Sequence, residues 1–206
     1  MNLQKIGMAN IIRYTLRDIS PQVLRDLQEH YPDASVQIEL SATPANGGLS
    51  ESDFWDLLNN LDWARAGDDN AVIQPLVETL ASRPLRHIYD FADILSYKLY
   101  LLDGDAYANP TQRTDWEEDA DFTADRFLYI RCCIIANGHQ FFDDIRRHPE
   151  KTPHDRVFAP LLRVPNEAYS KQTKQSIKHI WAYPIETFSN LDGWPNFVVN
   201  QENQAA

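Results

Sequence analysis

The chain has 206 residues, 43% of them hydrophobic and 11% aromatic, which suffices for one sizeable core and excludes disorder throughout. Its net charge of -11 at pH 7 repels a phosphate backbone, so nucleic acid is not the expected partner, and a basic partner or simply high solubility fits better. No apolar run approaches the roughly 18 residues of a membrane-spanning helix, and the opening MNLQKIGMANIIRYTLRD lacks the apolar core of a secretory signal, so a cytoplasmic chain is expected.

Residues 1–45 read as a small unit. Ile12, Tyr14 and Leu16 alternate as in a half-buried strand, Ser20-Pro21 opens a helix carrying Val23, Leu24, Leu27 and Tyr31, and Val36, Ile38 and Leu40 alternate again. The pattern is strand–helix–strand, too small to bury its own apolar face. SATPANGGLS, Ser41 to Ser50, is a linker by composition.

Helical periodicity dominates from 50 to 181. Ser50, followed three residues later by Asp53, caps a first helix with the stripe Phe54, Leu57, Leu58 and Leu61, and Trp55 beside it reads as core or core edge. After a turn over 64–70, Val72, Ile73, Leu76, Val77 and Leu80 form a second stripe, which Pro75 either kinks or opens. Pro84 opens a third helix with Ile88, Ala92, Leu95, Leu99 and Leu102 inward. A polar stretch runs from Asp103 to Asp121. A fourth helix follows from about Phe122 to Arg147, with Phe127, Ile130, Ile134, Phe141 and Ile145 inward and Asn137-Gly138 as an interruption or a close contact. Pro149 stops it, and a fifth helix is expected over Asn166–Ile180. Residues 182–206 read as an irregular, aromatic-rich tail. The fold class is therefore mainly α, a helical bundle-like domain with a small N-terminal strand–helix–strand (α+β) appendage.

Few residues suggest chemistry. Cys132 and Cys133 are adjacent, about 3.8 Å apart at Cα and outside ordinary disulfide geometry, and read as two small core residues of a chain kept in a reducing compartment. His139, His148 and His154 lie near Asp143, Asp144, Glu150 and Asp155 in sequence, a donor set that suits zinc or a redox metal but matches no compact ligand spacing. Gly47-Gly48 leads into Leu49-Ser50, not a phosphate loop, and no serine has the setting of a nucleophile elbow. No motif calls for a cofactor. Asp115, Glu117, Glu118, Asp119 and Asp121 surround Trp116, an aromatic anchor with a charged rim, and form the candidate protein interface. The cluster Trp181, Tyr183, Phe188, Trp194 and Phe197 is the next candidate.

The helical part resembles a known family. SESDFWDLL (Ser50 to Leu58), the long helix with Phe91 and the following Ala106-Tyr107, DRFLYIRCCIIANG (Asp125 to Gly138) and Asn166-Glu167-Ala168-Tyr169 are similar to segments of the bacterial family called domain of unknown function 4240. Arg131 and Gly138 stand where that family has its Phe–Arg and Gly positions, whereas DWEEDADF replaces a Gly-Cys-Ser-Asp-Asp-like cluster. The resemblance implies a helical bacterial protein with no established reaction and supplies no catalytic residues. The expected role is a non-enzymatic protein that binds a basic partner, in the manner of an immunity or antitoxin protein. The alternative is a metal-binding protein or metal-dependent enzyme using the His139, His148 and His154 region.

Overall fold

The computed structural model describes residues 47–108 and 123–195, together with Arg25 and Glu29. Backbone contacts divide the chain into two units, Met1–Ser41 and Ala42–Ala206. In the first, Arg25 and Glu29 are α-helical, as the Ser20-Pro21 start anticipates. The alternating triplets over 12–16 and 36–40 lie outside the described residues. The expected fold is corrected on one point: the described residues contain helices and turns and no strand, so the strand–helix–strand appendage is withdrawn and the class is α. Three alternating apolar residues are a short pattern, and a two-stranded unit of that size is at best marginally stable.

The second unit has six α-helices among the described residues: α1 (Glu51–Leu58), α2 (Asp69–Ala81), α3 (Leu85–Leu101), α4 (Ala124–Ala136), α5 (His139–Arg147) and α6 (Val164–Thr173). The α1 start is a reciprocal capping box: Ser50 Oγ accepts from the Asp53 amide at 3.1 Å, and Asp53 Oδ2 accepts from the Ser50 amide at 3.1 Å. The Ser50 hydroxyl also donates to Asp53 Oδ2, and this bond together with the one from the Ser50 amide holds the Asp53 carboxyl below its ordinary range. Asp68 caps α2, and the helix runs through Pro75 because the Val72, Ile73, Leu76, Val77 and Leu80 stripe is wholly buried. Each of those side chains contributes about 1.5–3 kcal/mol on burial, against about 3 kcal/mol for an interior proline.

The expected helix over 122–147 is two. Gly138 adopts φ 91°, a left-handed backbone that ends α4 and restarts the helix as α5. The restart shifts the inward face by one residue, so Phe142 and Ile145 are buried while Phe141 is only partly so. Residues Arg131 to Ala136 of α4 are all buried, which makes α4 the central helix. The expected helix over 166–180 also ends early. Pro165 lies in the first turn of α6, and Lys174 turns left-handed at φ 63°, after which the chain is irregular. In the core, α2 and α3 pack on α6, and α3 and α5 pack on α4. No helix among the described residues is long and apolar enough to cross a membrane.

Candidate functional site

Lys98 lies in the last turns of α3, between Leu95 and Leu99 of the apolar stripe, and is 5% exposed. A buried ammonium needs partners, and three helices supply them. Its Nζ donates to Glu51 Oε1, in the first turn of α1. It also lies 5.3 Å from the centre of the Phe142 ring, 5.6 Å from Tyr97 and 5.7 Å from Trp55. Such contacts contribute up to about 2 kcal/mol when desolvated. Trp55 Nε1 donates to the same Glu51 oxygen at 3.4 Å. Burial opposes ionisation of Glu51, but the Lys98 bond and charge and the Trp55 indole outweigh it and bring the carboxyl below its ordinary value.

The rim of this cluster faces solvent. His139 stacks on Trp55, with ring centres 4.9 Å apart and planes 13° off parallel, and its Nε2 lies 3.3 Å from Asp143 Oδ2. The side chains of Glu51, His139 and Asp143 are 46%, 55% and 43% exposed. Tyr97, itself exposed, meets Tyr183 at 4.8 Å, and Tyr183 meets Tyr100 at 5.4 Å. Lys98 thus joins the Glu51 carboxylate to the Tyr97 ring, while His139 is held on Trp55 and Tyr183 on Tyr97 and Tyr100. This surface offers large, rigid contact area and hydrogen-bond acceptors, the composition of a protein-binding anchor.

A second polar group lies deeper. Arg131 of α4 is fully buried. Its guanidinium donates to Leu99 O at 3.0 Å, Ile185 O at 3.1 Å and Thr187 Oγ1 at 3.0 Å, and lies over the Phe127 ring. Asp103, 1% exposed, stands 3.7 Å from Arg131 and accepts from the Phe188 amide at 3.1 Å, the Asn190 amide at 2.9 Å and Trp194 Nε1 at 3.1 Å. Burial pulls the Arg131 pKa down, and Asp103 opposes that pull.

The residues singled out from sequence fare differently. Asp115, Trp116, Glu117, Glu118, Asp119 and Asp121 lie outside the described residues, as does Phe197. His139, His148 and His154 are not brought together as ligands. His139 pairs with Asp143, His148 lies 3.4 Å from Glu150, and His154 has its pKa lowered by burial and by Arg126. Among the described residues no group of three or more His, Cys, Asp or Glu side chains could hold a metal ion. Cys132 and Cys133 are buried, and burial pushes the Cys132 thiol up to about 12, so it is a packing residue. Of the aromatic tail, Trp194 is buried against Phe127 and Phe188, and Tyr183 joins the exposed tyrosines. Sequence reasoning missed Glu51, Lys98 and Asp103. The available signal was a lysine at position 98 inside an apolar helical stripe.

Comparison with known proteins gives one positive result. No curated protein and no solved structure matches the chain. The family model described as "Protein of unknown function (DUF4240)" matches residues 49–178, which take in α1 to α6, the Lys98 cluster and Arg131. That span is well over half of the 206 residues, and the chain belongs to this family.

Proposed function

We propose that the protein is a non-enzymatic binding protein whose partner is a protein with a basic surface, and that it acts as an inhibitor or immunity-type protein. The observation that carries the reading is the exposed tyrosine pair Tyr97–Tyr183 beside Glu51, whose carboxyl is kept ionised by the buried Lys98. Tyr97 is anchored on α3 and Tyr183 is packed against it, so the pair loses little entropy on binding, and a carboxylate nearby orients an incoming arginine or lysine. The net charge of -11 and the acidic stretch Asp115, Glu117, Glu118, Asp119 and Asp121 around Trp116 would speed the encounter.

The test starts with a partner captured from the source cell and measures its association and dissociation across a range of ionic strength. Association should slow steeply as salt rises, and Tyr97→Ala and Tyr183→Ala should each speed dissociation about tenfold, or about 1.4 kcal/mol. Salt-independent association together with wild-type dissociation in both variants would overturn the reading.

A further inference from the structure

Residues 185–194 follow the last α-helix and have no regular structure except a 3-10 turn at Leu191–Gly193. They also lie beyond the family-matched segment, which ends at 178. Yet this irregular segment is held by two fully buried charges of opposite sign. Arg131 reads a main-chain carbonyl and a hydroxyl, and Asp103 reads two main-chain amides and an indole. Three of those five contacts are to the backbone, presented around a turn at residues 187–188 in which Phe188 has φ 73°. Side-chain selectivity comes from Trp194, 1% exposed and edge-on to Phe127 at 5.9 Å. Close backbone approach adds a steric requirement. A Cβ on Gly193 would stand 2.2 Å from Asp103 O and 2.9 Å from Gly104 Cα. Arg131 Nε is buried and has no acceptor among the described residues, so the bound segment leaves one donor of the site unused.

We propose that Arg131 on α4 and Asp103 just past the end of α3 form a recognition site for a turned, non-helical peptide bearing a tryptophan, and that residues 185–194 occupy it in cis. The carbonyl and hydroxyl are taken by the guanidinium, the amides of residues 188 and 190 and the indole by the carboxylate, and a glycine before the tryptophan permits the close approach. This rests on the protein-binding reading only for the natural source of such a peptide, a partner's own turned segment. The tether keeps the cis segment at an effective concentration of about millimolar, so a free peptide at micromolar concentration does not displace it from the wild-type chain.

The experiment uses full-length protein and a fluorescent peptide with the sequence of residues 183–195. Gly193→Ala evicts the cis segment through the clash at Asp103 while leaving Arg131 and Asp103 in place. The folded variant should bind the peptide saturably, one to one, and at least about tenfold more tightly than wild type, and a peptide with Trp194→Ala should not bind it. Thr187→Ala, a milder change that removes the bond from Arg131 and the one to Ala124 O, should give intermediate uptake. A folded Gly193→Ala chain that takes up no peptide overturns the proposal. So does loss of helical circular dichroism in both variants, because residues 185–194 are then an inseparable part of the core. No external partner enters the assay, so either failure leaves the tyrosine surface untouched.

Discussion

Replacing Asp103 by alanine should be among the most damaging single changes in the helical unit. The carboxylate is 1% exposed, faces Arg131 at 3.7 Å and accepts from two amides and an indole. Its removal leaves a guanidinium uncompensated in the interior, which costs about 3–5 kcal/mol. It also strands the three donors on residues 188–194. A domain has only about 5–15 kcal/mol in total, and each kcal/mol shifts the melting temperature of a chain this size by roughly 2–4 °C. The expected fall is therefore on the order of 6–20 °C. Thermal unfolding followed by far-UV circular dichroism and tryptophan fluorescence measures it, with the buried Trp194 indole reporting local release. The double variant Arg131→Met with Asp103→Leu removes both charges and should lose less than the sum of the two single variants, by about 1–3 kcal/mol. If Asp103→Ala melts within about 2 °C of wild type, or the two changes add to within about 0.5 kcal/mol, the pair does not hold the segment as described.

Further expectations follow from other elements. Ser50→Ala removes one half of the capping box and should cost about 1 kcal/mol, read as a lower urea midpoint with unchanged slope; an unchanged midpoint would deny the cap. Glu51 has its pKa lowered from 4.5 in the folded state, so the unfolded chain takes up its proton first as pH falls. Its contribution to stability is complete above about pH 4.5 and is lost as pH drops through the folded value, and Glu51→Gln should flatten the loss of stability between neutral pH and about pH 3. Equal acid sensitivity in both proteins would contradict the Lys98 pairing. Cys132, its thiol pushed up to about 12, should resist alkylation at neutral pH until urea unfolds the chain, and rapid labelling of the native protein would show that α4 is not central.

Local pattern carried most of the helical reading. The Val72, Ile73, Leu76, Val77 and Leu80 stripe is the buried face of α2, and Ser50 with Asp53 forms the anticipated cap. Periodicity failed where backbone geometry intervened. Gly138 at φ 91° breaks one expected helix into α4 and α5 and moves the inward face from Phe141 to Phe142, and Lys174 at φ 63° ends α6 before Ile180. Because α4 is buried on almost every side, its stripe carried no direction. The polar groups of the site were invisible for another reason. Lys98 finds Glu51 across 47 positions, and Asp103 finds its donors across 85 to 91. Asp103 therefore reads as the start of a polar stretch, and only the fold reveals it as a buried acceptor. Arg131 was visible solely through family resemblance, which the match over residues 49–178 bears out.

The central claim is that the face built by Glu51, Tyr97 and Tyr183 over Lys98 meets a protein partner. Amide hydrogen exchange of the chain, alone and saturated with that partner, tests it most directly. The account predicts added protection at the start of α1, at the end of α3 around Tyr97 to Tyr100 and in the segment around Tyr183. Protection confined to other helices, with those three segments exchanging as in the free chain, would contradict it.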